Sequence, residues 1–208
     1  MEIDNRNQVK NLLKFGEDTY YYLQIIQRKK ENPDLPKQEI KRWRLFITSL
    51  KTLTDCDPYI EFICKNFNAR AYISILPRSL ENFALKNLIS FAEVIKNKSY
   101  SQCFRTSDKV ALDSETIKWK GVIPRSRLLL DFDGPSLNQI ETKRYLTEKG
   151  FVIEDIIPTK NGFHVICENC NPSRLLGVTM GKDLIVKDDK VEFTLIKTCN
   201  TIYFASMP

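Results

Sequence analysis

The stretch Arg127-Leu-Leu-Leu-Asp131-Phe-Asp133-Gly134 decides the fold. Its apolar run reads as a strand over Leu128–Phe132, closed by Asp-Gly-Pro, itself a turn signal. Downstream, Leu137–Lys149 reads as a helix stopped by Gly150, and Phe151–Ile157 as a second strand. Asn161-Gly162 is a two-residue hairpin signal leading into a third strand, Phe163–Cys167. A helical turn over 172–176 and strands near 191–196 and 201–205 complete a β-α-β-β-α-β order. That is the order of a ferredoxin-like unit, so residues 127–208 are expected to form one half of an α+β chain.

Upstream the pattern changes. Residues 6–31 read as helix from Val9, Leu12, Leu13, Tyr20 to Leu23, Ile25 and Ile26, with a break at Gly16. Residues 43–48 read as a strand, and Asp57-Pro58 opens a helix to about Asn66, because Pro suits a first helical turn. The chain therefore divides into a mainly helical N-terminal extension over 1–66, a first αβ part with a basic connector over 67–126, and the half over 127–208. Within the middle part, residues 71–76 form a short strand ended by Pro77. Ser79 caps a helix over Leu80–Lys96, with Phe83, Leu88, Phe91 and Ile95 on one face.

Composition bounds the function. At 208 residues, 42% hydrophobic and 28% charged, the chain is long enough to close a core without staples and is not of disordered composition. The longest apolar runs fall far below the roughly 18 residues that span a bilayer, so no membrane partner is expected. The N-terminus carries no apolar leader, so the cytoplasm is the expected location. Six cysteines are scattered, and Cys167-Glu-Asn-Cys170 has no second pair, which argues against structural zinc. The net charge of +6 is uneven. Residues 1–51 carry +4 and residues 96–127 carry +5, against −2 over 128–208. Such excess favours polyanions. A single histidine excludes an all-histidine metal cage, and any Ser-His-Asp arrangement would have to use His164.

Two constellations carry candidate chemistry. Alternation puts Asp131 and Asp133 on one face of their strand, and two adjacent carboxylates repel unless a cation lies between them, which suggests Mg²⁺ or Mn²⁺. An N-cap or turn role would explain the same two residues. Thr159-Lys-Asn-Gly-Phe-His164 combines a tight turn, a cation and an imidazole, the groups that hold phosphate, and would equally suit an ordinary hairpin. The tyrosines at 20, 21 and 22 could stack bases, although their spacing suits a core better.

Taken together, strand-DFDG, helix, strand and TKNGFH resemble the first two motifs of the archaeo-eukaryotic primase superfamily. DTYYYLQIIQRKK, FNARAYISILPRS and ALDS are similar to a family of small phage proteins with a primase-like core. The resemblance implies a primase-type core with an RNA-recognition-motif-like half, acting as a primase- or polymerase-like nucleotidyltransferase of phage DNA replication. It implies Asp131 and Asp133 as metal ligands and His164 as a contact to the incoming nucleotide's phosphates. Thr159, Lys160, Asn161, Gly162 and Lys197 would line the nucleotide pocket, and Arg70 and Arg78 would point at nucleic acid. The implied partners are a nucleoside triphosphate, single-stranded DNA and a replicative helicase, in the cytoplasm of a host cell.

The chain departs from that pattern in one place. The third acidic residue of the family falls where this chain has Thr194; Asp183, Asp188, Asp189 and Glu192 are nearby, with Asp188-Asp189 reading as a hairpin turn. A non-catalytic nucleotide- or nucleic-acid-binding module on the same scaffold is therefore a competing reading. The third is a phosphatase of haloacid-dehalogenase type, because LLLDFDG also looks like that family's nucleophile motif. Pro135 stands where that motif has Thr, and the remaining chain is short for its later elements.

Overall fold

The computed structural model describes residues 3–36, 39–111, 127–133, 138–159, 162–168, 184–188, 191–195 and 201–206. It is an α+β arrangement of two antiparallel sheets and five α-helices among the described residues. In chain order these are β1 (Ile3–Asp4), α1 (Arg6–Leu12), β2 (Thr19–Gln27), β3 (Arg42–Ile47), α2 (Leu50–Asn66), β4 (Ala69–Ser74), β5 (Arg78–Ser79) and α3 (Leu80–Lys96). A single 3₁₀ turn and α4 (Cys103–Ala111) follow, then β6 (Arg127–Asp133), α5 (Gln139–Glu148), β7 (Val152–Pro158) and β8 (Gly162–Glu168). The chain ends in β9 (Leu184–Asp188), β10 (Val191–Leu195) and β11 (Thr201–Ser206). No helix among the described residues is long and apolar enough to cross a membrane.

The first sheet runs β1-β11-β4-β2-β3, with β5 beside β2. The reading of residues 6–31 as helix is corrected here: helix is confined to α1, and Thr19–Gln27 is a strand paired with β3 and β4. A central strand covered on both faces shows no alternation, and Tyr20 to Leu23 are all fully buried. A continuous apolar run of this kind gives the same periodicity signal as a buried helix. Residues 1–66 are therefore not a helical extension: β1, β2 and β3 build the first sheet. The second helix starts earlier than expected. Ser49 caps it, its Oγ accepting the Thr52 N–H at 3.0 Å, and Pro58 lies inside the helix rather than in its first turn.

Local signals were followed closely elsewhere. Ser79 caps α3, its Oγ accepting the Asn82 N–H at 3.0 Å. Gly150 ends α5 at φ 80°, and the Phe151 N–H reaches back to the Leu146 carbonyl at 3.0 Å, the bonding of a glycine-stopped helix. The expected inward face of α3 is a correction. Asn87 and Val94 are its buried residues, while Leu88 is 67% and Ile95 61% exposed. Apolar side chains occur around most of this helix, so spacing alone did not select the packed stripe.

The second sheet runs β7-β8-β6-β10-β9, all antiparallel. The strand expected last in this half, near 201–205, leaves it: β11 pairs with β4 and β1 of the first sheet. Its place beside β6 is taken by β10, hairpinned to β9 with Val191 opposite Asp188. The helical turn expected over 172–176 lies outside the described residues.

Each face of the second sheet has its own partner. Leu128, Leu130, Phe132, Phe163 and Val165 pack with Leu146 and Phe151 at α5. Leu129, Ile157 and Ile166, on the other face, belong to the main core with Val9 of α1, Leu53 of α2 and Leu23 and Ile25 of β2. Polar bonds reinforce this junction. Asn5 Nδ2 donates to the Pro158 carbonyl at 2.7 Å, and Gln8 Nε2 to Asp155 Oδ1 and the Ile156 carbonyl, both at 2.8 Å. Asp131 and His164 lie on this inward side.

Candidate functional site

The site is built by strand register. β6 and β8 pair with Asp131 opposite His164 and Asp133 opposite Gly162. Alternation gives β6 two characters: Leu128, Leu130 and Phe132 face α5, and Arg127, Leu129 and Asp131 face the core shared with the first sheet. On the α5 side Phe132 and Phe163 stack at 5.3 Å between centroids, which holds the pair's backbone in register.

His164 Nε2 stands 3.1 Å from Asp131 Oδ1, with side-chain exposures of 7% and 21%. The contact is close but outside hydrogen-bonding directions. Oδ1 of Asp131 and Nδ1 of His164 are both buried and lack a hydrogen-bond partner among the described residues. An unmet buried polar atom costs about 1–3 kcal/mol; Thr159 Oγ1 is also buried and unpartnered, as are Arg127 Nε and Glu154 Oε2 at the far end of this face.

The hairpin differs from expectation by one residue. Pro158 stands opposite Phe163, and the Thr159 N–H donates to the Gly162 carbonyl at 2.9 Å. The connection is therefore at 160–161, and Gly162 opens β8 opposite Asp133 instead of forming the turn. Lys160, Asn161 and Lys197 lie outside the described residues.

The two arginines are placed apart from this pair. Arg70 on β4 forms an ion pair with Glu31, and both side chains are largely covered. Arg78 on β5 is fully buried beside β2. At the opposite end of the inward face of β6 is a charged group that sequence reasoning did not single out. Arg127 donates to the Ile75 and Leu12 carbonyls, each at 3.0 Å, and pairs with Glu154 of β7. It joins the two sheets. Its signal was present, an arginine on the alternation that also carries Asp131, but a charge at a strand end reads as an exposed flank.

For a cation the donor set is small. Among the described residues, no three His, Cys, Asp or Glu side chains are grouped to hold a metal ion. The buried, unpartnered Asp131 oxygen is of the right chemistry for one, and Asp133 follows two positions along the same strand. Leu195 stands opposite Phe132, which brings position 194, a threonine, beside position 133. No protein-family model, curated protein or solved structure matches the chain.

Proposed function

We propose that the Asp131–His164 pair is the phosphate-handling centre of a primase-like nucleotidyltransferase. The observation that carries the reading is the pair of buried, unsatisfied polar atoms on adjacent central strands. The strand arrangement supports it. β6, α5, β7 and β8 succeed one another with β8 between β7 and β6, and β10 closes the other side of β6, as a ferredoxin-like half requires.

In this reading Asp131 and Asp133 hold Mg²⁺ or Mn²⁺, which when bound neutralises phosphate charge during in-line transfer. His164 donates a ring N–H to a phosphate oxygen of the incoming nucleotide. Thr159 offers its hydroxyl to the same group, and Gly162, with no side chain, lets the nucleotide approach the backbone opposite Asp133. The core packed around Leu129 and Ile166 excludes water from one side of the pair, which strengthens these contacts. Lys160, Asn161 and Lys197 are proposed to complete the pocket, and single-stranded DNA to be the template.

The threonine at position 194 favours a second reading, a module that binds nucleotide without polymerising it. One experiment separates the two. Calorimetric titration of nucleoside triphosphate with Mg²⁺ is expected to show binding that Asp131→Ala plus Asp133→Ala abolishes, and primer extension on single-stranded template is expected alongside. Binding without extension selects the module. Absence of metal-dependent binding removes both readings, and phosphate release from a simple monoester, lost in Asp131→Asn, selects the phosphatase.

A further inference from the structure

Helix α3 carries apolar side chains on two opposite sides, and the fold buries only one of them. At about 100° per residue, Phe83, Asn87 and Val94 share one side, which packs on Tyr20 of β2 and on α4. Leu85, Leu88, Ala92 and Ile95 lie on the opposite side, and all four are exposed. Ile89 beside them is 60% exposed. The outer side of a surface helix is ordinarily polar. Contiguous apolar surface in its place marks an interaction site. The steps from Leu85 to Leu88, Ala92 and Ile95 are three, four and three residues, the spacing of a coiled-coil seam.

We propose that α3 is a homodimer interface, in which two copies of this chain pack antiparallel along the seam about a two-fold axis between Leu88 and Ala92. The sequence is complementary to itself in that orientation. Leu88 of one copy meets Ala92 of the other, and Leu85 meets Ile95, so a large residue faces a small one on each side of the axis. In a parallel pair Ala92 would meet Ala92 and leave a gap in that layer. Charge selects the same orientation. Glu81 opens the seam and Lys98 lies just beyond its far end, both exposed. Antiparallel packing brings them within a turn of each other at both ends of the dimer. A parallel pair would instead set Glu81 against Glu81 and Lys96 against Lys96. Opposed helix dipoles add to the preference. At 17 residues, α3 is about 25 Å long. One helix pair of that length buries less than the roughly 800 Å² per partner of a standard interface, so the dimer is expected to dissociate in the micromolar range. The inference is independent of the Asp131–His164 reading: α3 covers Tyr20 and Tyr22, on the side of β2 opposite the core that β6 shares.

Sedimentation equilibrium of the full chain from about 1 to about 500 μM tests it. The average mass is expected to rise from that of a monomer toward twice that value and no further, as a closed two-fold contact requires. Leu88→Glu is expected to weaken association at least about tenfold, because it places a charge in the seam. Leu88→Ala is expected to weaken it as well, and Leu88→Ala plus Ala92→Leu to restore it, since the large and small partners are exchanged. Glu81→Lys alone is expected to weaken association, and Glu81→Lys plus Lys98→Glu to recover it. All of these side chains are exposed, so each variant is expected to melt within a few degrees of the wild type at the lowest concentration. A wild type that stays monomeric overturns the proposal, as does a Leu88→Glu variant that associates like the wild type. Failure of the Leu88–Ala92 exchange to restore association overturns the antiparallel pairing. A larger drop in the melting temperature of Leu88→Glu also overturns the proposal, because the face is then covered by the chain's own residues. Cosedimentation of the monomer with anionic lipid vesicles, lost in Leu88→Glu, would assign the face to a membrane surface and overturn it likewise.

Discussion

The two ends of the inward side of β6 hold charged residues in opposite circumstances. At one end Arg127 is almost fully buried and has two backbone carbonyls and Glu154 as partners, although its Nε and Glu154 Oε2 are themselves unmet. At the other, Asp131 and His164 are brought together and left with unmet buried atoms. The same strand and the same alternation give one group a structural task and, in the proposed reading, leave the other to take a ligand. Both ends keep unmet buried atoms, and what differs is the number of partners: Arg127 has three, whereas Asp131 has a contact with His164 outside hydrogen-bonding directions.

That contrast can be broken by substitution. Arg127→Ala is expected to cost about 3–5 kcal/mol in urea unfolding, because Glu154 and two carbonyls lose their partner in the interior. A loss below about 1 kcal/mol would mean that Arg127 is no clamp. Asp131→Asn should change stability by no more than about 1 kcal/mol, with either sign, since the isosteric amide fills the same space beside His164 and no hydrogen bond is lost. A cost equal to that of Arg127→Ala would make Asp131 structural and erase the distinction.

The core between the two ends can be probed chemically. Burial pushes the Cys64 thiol up to about 12, so at pH 8 it carries almost no thiolate. Iodoacetamide is expected to leave Cys64 unmodified until the protein unfolds. Burial also pushes up Cys56, with Asp55 and Asp57 adding to the shift; being partly accessible, it should react before Cys64. Early modification of Cys64 would show that the core shared by the sheets opens on its own.

The smallest effect belongs to an exposed pair. Arg6 holds the Asp4 carboxyl below its usual 3.8, and the Asp4 side chain is 42% exposed. A lowered carboxyl stabilises the fold above its unfolded value, and the gain is lost as pH falls through the folded one. Exposure limits that contribution, so Asp4→Asn should cost less than about 1 kcal/mol at pH 7 and nothing near pH 2. A larger cost would show that charge pairs at the rim count as much as the Arg127 clamp.

What the sequence made legible was local. Ser79, Gly150 and the run before Asp131 act through neighbours within a few residues, and α3, α5 and β6 form where those signals place them. The Asp131–His164 meeting was also foreseeable, because alternation and a short hairpin leave few registers. β2 was missed because both of its faces are covered, Tyr21, Leu23 and Ile25 by the main core and Tyr20 and Tyr22 by Ala111, Leu80 and Phe83, which removes the alternation that marks a strand. The transfer of β11 to the first sheet was equally hidden, since a strand's sequence does not say which of two edges it will meet. Arg127 was overlooked for the same reason: Leu12 and Ile75, whose carbonyls it binds, are remote in the chain.

The most direct test of the central claim is thermal unfolding of the wild type and of Asp131→Asn, each with and without Mg²⁺ and nucleoside triphosphate. The unliganded variant is expected to melt within a few degrees of the wild type, and ligand to raise the melting temperature of the wild type alone. A variant that melts far lower without ligand, or a wild type that does not respond to ligand, would contradict it.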